Sequence, residues 1–402
     1  MRRAARLAVL GAPPVFAQHL HVGRPNIGDR ARLFERFEDL LDRRWLTNDG
    51  PFVQEFEKRL AQMLGVRHVV AMCNATVALE IAIRALGMTG EVIVPSFTFV
   101  ATAHALQWQQ ITPVFCDVDP ATHNIDPARV EAAITSRTTG IIGVHVWGRP
   151  ADVVALGEIA SRRGLRLLYD AAHAFACTAG GRMIGGFGDA EVFSFHATKF
   201  LNSGEGGAVA TNDDALAERM RLMRNFGFAG YDQVVYVGTN GKMGELPAAM
   251  GLTSLDAIDD FIAVNRTNHA TYAAALAGIP GITLVPYDDA ERTNYQYVVL
   301  EVEEAETGLT RDEMQRVLWA ENVMARRYFY PGCHRMEPYR SSFPDAGALL
   351  PETERLVTRV LTLPTGTAVD EEIIGGVSGI LRAAVEDAPR VRRALADAGE
   401  GG

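Results

Sequence analysis

The sequence predicts an α/β protein: a large domain on a mixed, mostly parallel seven-stranded sheet, then a smaller C-terminal α+β domain. Three observations point there. Between residues 68 and 212 short apolar runs recur, and amphipathic helical patterns separate most of them. The runs are apolar throughout rather than alternating, as befits strands covered on both faces. After about residue 255 this rhythm gives way to long helical patterns with one strand-like run.

Residues 1–28 read as an N-terminal strap. The opening "MRRAARLAVLGAPPVFAQ" has the outline of a signal peptide, but Arg6 and the Pro13–Pro14 pair interrupt its apolar stretch. The large domain is expected over 29–255. Helical spacing in "DRARLFERFEDLLDRR" predicts a helix over 29–44, which "LTNDGPFV" breaks; "VQEFEKRLAQML" predicts the next. "HVVAM" (68–72) is then a strand and "TVALEIAIRAL" (76–86) a helix. "EVIVP" (91–95) is a strand and "FVATAHALQW" (99–108) a helix. "TPVFCDVD" (112–119) and "PARVEAAI" (127–134) repeat the alternation, as do "TGIIGVHVW" (139–147) and "DVVALGEIASRRG" (152–164). "LRLLYD" (165–170), "EVFSF" (191–195) and "GGAVATN" (206–212) supply three more strands. The last two are too close for an intervening helix, so a tight loop and an antiparallel pairing fit there.

The small domain is expected over 256–390. It holds a long helix (259–278), a strand "YQYVVLEVE" (295–303), a helix (310–322) and a terminal helix (370–387). Residues 391–402 are expected to form a flexible tail.

The net charge of -10 argues against non-specific nucleic-acid binding and suits a soluble, cytoplasmic enzyme. Cys73, Cys116, Cys177 and Cys333 form no CxxC pair, so no metal site is expected and the thiols are read as reduced. No apolar run is long enough for a membrane span of about 18 residues or more.

Ligands of open α/β sheets bind at the carboxyl ends of the strands. Three chemically capable groups fall there. In "CNATVALEIAI" a strand ends near Met72 and a helix starts near Thr76. Small residues in the turn admit a ligand close to the backbone, and the free N–H groups of the first helical turn make an anion site. Asn and Thr are also plain helix caps. In "LRLLYDAAHAF", Asp170 ends an apolar strand, where a carboxylate either meets solvent or is held for a cationic partner such as a pyridinium nitrogen. His173 can reach the same ligand or be a satisfied core histidine. In "FSFHATKF", Lys199 follows a strand. The chain has three lysines (Lys58, Lys199, Lys242) against 36 arginines. Lysine can lose a proton and form a Schiff base, and arginine cannot. Three lysines must nonetheless fall somewhere. Ser194 can donate to a phosphate, and Phe97 and Phe99 offer rings for stacking. An anion cradle, a carboxylate for a ring nitrogen and a Schiff-base lysine on one sheet are what pyridoxal 5'-phosphate requires.

From about "HVGRPNIGD" (21–29) to "LPTGTAV" (363–369), the chain resembles the DegT/DnrJ/StrS-type sugar-nucleotide aminotransferases, of the aspartate-aminotransferase fold (fold type I). The resemblance rests on "LTNDGPFVQEFE", "NATVALEIAIRAL", "VPSFTFVATAHA", "HVWGRP", "DAAHAF", "FSFHATKF", "SGEGGAVATND" and "GTNGKMGELPAAMGL" in that order. It implies that Lys199 forms the internal aldimine and then shuttles protons, that Asp170 pairs with the pyridine nitrogen, and that His173 lies near the ring hydroxyl. Ala75 (through its backbone), Thr76 and Ser194 would hold the phosphate, and Phe99 would stack on the ring. Asn240 would reach the cofactor of a neighbouring subunit, making the enzyme a homodimer. Ala75 stands where many relatives carry Gly, and His173 where many carry Gln.

The retained Lys199 favours transamination over the dehydration of relatives with histidine there. "FHATKFLNSGEGG" is similar to relatives acting at C4 of the sugar, which makes His196 a candidate substrate-side residue; a structural hydrogen bond is its other reading. "ARRYFYPGCHRMEPYR" (325–340) suits a diphosphate and a base, with Tyr330 and His334 as candidates; a solvated loop is the alternative. "GRPNIGD" is a further candidate for substrate contact. The expected reaction is ping-pong transfer of an amino group from glutamate, through pyridoxamine 5'-phosphate, to dTDP-4-keto-6-deoxyglucose. The expected product is dTDP-4-amino-4,6-dideoxyglucose. A 3-keto-sugar, a cyclitol ketone and a non-catalytic cofactor-binding regulator are the alternatives.

Overall fold

The computed structural model describes residues 7–397. Its central layer follows from side-chain alternation. In β1 (His68–Met72), Val69 and Ala71 enter the core on one face of the sheet, while Val70 and Met72 enter the core on the other. Strands β2 (Glu91–Pro95), β3 (Thr112–Cys116), β4 (Thr138–Val144), β5 (Arg166–Asp170), β6 (Ala190–Ser194) and β7 (Gly207–Thr211) complete the expected seven-stranded sheet. Their order is β1-β7-β6-β5-β4-β2-β3. Only β7 runs antiparallel to its neighbours β1 and β6. The loop from β6 to β7 folds back on itself, with Ser203 N–H on Phe195 O and Ala197 N–H on Gly204 O.

Helices cover both faces. They are α1 (Arg30–Arg43), α2 (Pro51–Leu64), α3 (Ala75–Ala85), α4 (Ala101–Gln107), α5 (Pro127–Ala133), α6 (Val153–Arg163), α7 (Asp214–Met223) and α8 (Glu245–Asp256). The sequence patterns did not predict α7 or α8. In α8 small and apolar residues are buried on nearly every side, so no polar stripe marks it. Gly251 lets this helix close on Phe56, whose ring would lie 2.7 Å from an added Cβ.

The second domain contains α9 (Ile258–Leu276), β8 (Ile282–Leu284), β9 (Val298–Val302), α10 (Arg311–Ala320), β10 (Val360–Leu363), α11 (Glu371–Glu386) and α12 (Ala388–Asp397). Strands β8, β9 and β10 form an antiparallel sheet in that order. A capping box between Thr310 and Glu313 starts α10.

One segment expectation is corrected. The expected flexible tail is helical through Asp397, because Val391 and Leu395 are buried against the small-domain core; residues 398–402 lie outside the described residues. The N-terminal strap is tied to the small domain. Leu7 is buried in the small-domain core, and Leu20–His21 pairs in parallel with Val323–Met324; residues 1–6 lie outside the described residues. An apolar cluster joins the two domains: Phe97, Val144 and Trp147 pack with Tyr297, Val299 and Phe329. Among the described residues no helix is long and apolar enough to cross a membrane.

Candidate active site

The carboxyl ends of β1, β2, β5 and β6 open into one cavity of about 270 Å³. Asn74, Ala75, Thr76, Phe99, Asp170, His173, Ser194, His196 and Lys199 all line it. Each arrives by a local rule. Asn74 caps α3, its side chain accepting from Val77 N–H at 2.9 Å. No described residue accepts from the N–H groups of Ala75 or Thr76, so the positive end of the helix faces the cavity. Gly207 permits this approach, since a Cβ there would lie 2.6 Å from Ala75 N. Ser194 ends β6 beside this cradle.

Asp170 ends β5 and is buried. Its Oδ2 accepts from Thr102 Oγ1 at 2.8 Å, and its Oδ1 from Ala172 N–H at 3.1 Å. A carboxylate fixed this way keeps its orientation toward the cavity. Three residues on, His173 accepts a 3.3 Å hydrogen bond at Nδ1 from Trp147 N–H. That bond leaves Nε2 as the ring's donor. Trp147 reaches this position with a left-handed φ of 64°, a sparsely populated conformation for a bulky residue. Burial, aided by the charge of Lys199, pushes the His173 pKa well below its ordinary value, so the ring is neutral.

Lys199 sits in the β6–β7 loop, its N–H bonded to His196 O at 2.8 Å. Its Nζ lies 3.4 Å from the hydroxyl of Tyr297, a buried residue just before β9. Burial lowers the Lys199 pKa to about 8, partly offset by the charge of Asp170. A quarter or so of such amines are neutral at pH 7.5, against about one in a thousand at an ordinary lysine pKa. Burial also holds the Tyr297 phenol well above its usual range, so it stays protonated. Tyr297, Thr102 and Trp147 were not foreseen, because each takes its role from a contact made across the fold.

Phe99 exposes 58% of its surface beside the cavity, leaving a ring face available. Phe97, the other aromatic in that turn, is fully buried in the cluster between the domains. His196 Nδ1 accepts from Thr198 N–H at 3.2 Å, and its Nε2 lies 3.7 Å from Glu205 on the cavity wall. A neighbouring cavity of about 540 Å³ shares Phe99, Arg326 and Tyr328 with the first. Tyr330 lines this second cavity, with Arg327 over its ring at 4.3 Å.

His334 is corrected. It is buried, its Nδ1 lies 2.7 Å from Ser96 Oγ and its Nε2 2.6 Å from Glu354. Both ring nitrogens are taken up inside the protein and it lines neither cavity, so the structure does not bring it to a substrate. Asn240 does not line the cavity of its own chain; it is exposed beside Cys73, whose Sγ lies 4.0 Å from Asn240 O.

Pyridoxal phosphate fits these groups. Unpaired helix N–H groups with a glycine-permitted approach suit its phosphate, Asp170 suits a cationic ring nitrogen, and Lys199 suits its aldehyde. Among the described residues no cluster of three His, Cys, Asp or Glu gathers to hold a metal.

Residues 28–382 match the DegT/DnrJ/EryC1/StrS aminotransferase family. The dTDP-4-amino-4,6-dideoxy-D-glucose transaminase of Escherichia coli is 36% identical over 363 residues, covering 90% of this chain and 97% of the relative. The GDP-perosamine synthase of Caulobacter vibrioides is 36% identical over 349 residues, covering 85% and 92%. Among solved structures, DesI in the presence of its TDP-sugar product has a TM-score of 0.92 at 52% identity, covering 97% of this chain and 99% of that one. DesV of S. venezuelae, in complex with a ketimine intermediate, has a TM-score of 0.83 at 32% identity, covering 90% and 99%.

Proposed function

The chain belongs to the DegT/DnrJ/EryC1/StrS aminotransferase family and has the fold type I architecture, and from this premise we propose its substrates and the roles of its residues. It is a pyridoxal-phosphate-dependent sugar-nucleotide transaminase. The acceptor is dTDP-4-keto-6-deoxyglucose, which becomes dTDP-4-amino-4,6-dideoxyglucose. Glutamate is the donor, in two alternating half-reactions. The observation that carries this reading is one cavity holding the free N–H groups at the start of α3, the buried Asp170 carboxylate and the Lys199 amine. The similarity to the E. coli dTDP-4-amino-4,6-dideoxy-D-glucose transaminase and to DesI, which was solved with a TDP-sugar product, favours the acceptor.

When bound, pyridoxal phosphate supplies an electron sink and carries the amino group between donor and acceptor. Lys199 anchors it, then takes the Cα proton of the donor and returns a proton at the sugar carbon. A pKa of about 8 leaves the amine able to move protons in both directions near neutral pH. Asp170 holds the charge that keeps the ring nitrogen protonated, and neutral His173 donates through Nε2 to the ring oxygen. Ala75, Thr76 and Ser194 hold the phosphate, and Phe99 stacks on the ring. His196 contacts the sugar. Tyr330 and the arginines of the second cavity take the nucleotide end, since Arg forks onto phosphate.

A second copy of the chain completes the site. Asn240 follows a segment that exposes Phe226, Phe228, Val234, Val235 and Val237, an apolar stretch a partner would cover. Asn240 then reaches the cofactor phosphate of that copy. The test is borohydride reduction of the cofactor-loaded protein followed by peptide mapping. Cofactor fixed on Lys199, with a visible band bleached by glutamate, is the expected result. A label elsewhere, or none, rejects the reading.

A further inference from the structure

The backbone carbonyls of Thr198 and Phe200, the residues on either side of Lys199, are each held by a carboxamide from outside the large domain. Gln296 Nε2, in the segment entering β9, donates to Thr198 O at 3.0 Å. Asn26 Nδ2, from "GRPNIGD" in the strap, donates to Phe200 O at 3.4 Å. Asn26 is 5% exposed, and both of its oxygens are engaged as well. Its backbone carbonyl accepts from Asn202 Nδ2 at 2.5 Å. Its Oδ1 accepts from Thr367 N–H at 3.1 Å and from Thr367 Oγ1 at 3.2 Å. Thr367 follows β10 in the small domain, so Asn26 spans from that domain to the lysine loop.

The partners fix which way both amides face. Thr198 O and Phe200 O only accept, so a nitrogen must meet each; Thr367 N–H only donates, so Asn26 Oδ1 must meet it. Two glycines with positive φ allow the contact to close. A Cβ on Gly366 (φ +98) would lie 3.2 Å from Asn26 Oδ1, and one on Gly23 (φ +74) would lie 3.0 Å from Thr198 Cβ.

We propose that Asn26 and Gln296 are positioning residues that clamp the Lys199 peptide to the small domain, so that the small domain sets the reach of the lysine amine. A lysine side chain has four rotatable carbons, so its amine is aimed only as well as its backbone is held. Misplacing a reacting group by about 1 Å costs on the order of 100-fold in rate. The clamp is placed to prevent that shift and to transmit any movement of the small domain to the amine. This inference rests on the reading of Lys199 as the residue that holds the cofactor.

The test uses the cofactor-loaded full chain with Gln296→Met, Asn26→Asp and a control, Ser254→Ala. Gln296→Met keeps bulk and removes the donor. Asn26→Asp keeps the acceptor for Thr367 and removes the donor. Ser254→Ala removes the 2.7 Å bond to Asn202 O, which belongs to the same network but touches neither carbonyl flanking Lys199. Three quantities are read: the pH midpoint of the cofactor's visible band, the rate of the glutamate half-reaction and the thermal midpoint. Both clamp variants are expected to move the pH midpoint and to slow the half-reaction roughly 10-fold. The control should lower the thermal midpoint alone. If the clamp variants lose only thermal stability, as the control does, the clamp is structural and the proposal is overturned. Gln296 is half-buried, so Gln296→Met decides alone if Asn26→Asp does not fold. Borohydride mapping of the wild type separates the two levels. No label on Lys199 rejects the cofactor reading and the clamp with it; a label on Lys199 with unchanged variants rejects the clamp alone.

Discussion

Replacing Asp170 by Asn lowers the pKa of Lys199 below its already depressed value. Burial drives that pKa down to about 8, and the Asp170 charge is what pulls it back up. Two opposite charges about 5 Å apart at an effective dielectric of about 20 interact by about 3 kcal/mol, or about two pKa units. The open cavity screens part of this, so a drop of about one to two units is expected. Asn is isosteric, and its Oδ1 still accepts from Ala172 N–H, so the loop keeps its shape. The assay needs no cofactor. Trace acetylation of the full chain across pH 6–11, read by mass spectrometry of the Lys199 peptide, gives the titration directly. With only three lysines in the chain, exposed Lys58 serves as the reference. The wild-type midpoint is expected near 8 and the variant midpoint near 6.5. A wild-type midpoint near 10, or one in Asp170→Asn that stays or rises, refutes the electrostatic argument. The variant gains neutral amine yet loses turnover, because the carboxylate that holds a cationic ring nitrogen is gone.

Other consequences follow from single contacts. Gly207→Ala drives a Cβ into Ala75 N and should weaken pyridoxal-phosphate binding at least about 10-fold, measured by absorbance titration. His196→Ala should raise KM for the keto-sugar while leaving the glutamate half-reaction unchanged, read by stopped flow. His334→Ala should cost about 1–3 kcal/mol in urea unfolding by stranding the buried Ser96 hydroxyl and the half-buried Glu354, with KM for the sugar nucleotide unchanged. Leu395→Ala should cost about 2–3 kcal/mol in the same unfolding experiment, because that residue is 5% exposed in the small-domain core.

Much of the fold was legible because the sheet is buried on both faces. Continuous apolar runs such as "HVVAM" then mark strands directly, and His68–Met72 and Glu91–Pro95 fall where the runs place them. Helix α8 was hidden for the same physical reason in reverse, since burial on nearly every side erases the amphipathic stripe. In the site, Lys199, Asp170 and the Asn74–Thr76 turn were readable because each lies at or just beyond the carboxyl end of a strand at the same edge of the sheet. Thr102, Trp147 and Tyr297 were not, because their roles come from long-range contacts. His334 was misread by its company of arginines and tyrosines. Its partner Ser96 lies 238 residues away, and nothing local announces that pairing. The chain end was misread as well: "VRRALAD" carries only two large apolar residues, but Val391 and Leu395 share one face of the helix and bury it.

The most direct measurement is the position of the new nitrogen. The pyridoxal-phosphate-loaded protein is incubated with 15N-glutamate and dTDP-4-keto-6-deoxyglucose, and the product is read by NMR. The account predicts a dTDP-linked 4,6-dideoxy sugar with 15N on C4. Nitrogen on C3 contradicts the acceptor assignment, and no 15N in the sugar contradicts the proposed transfer itself.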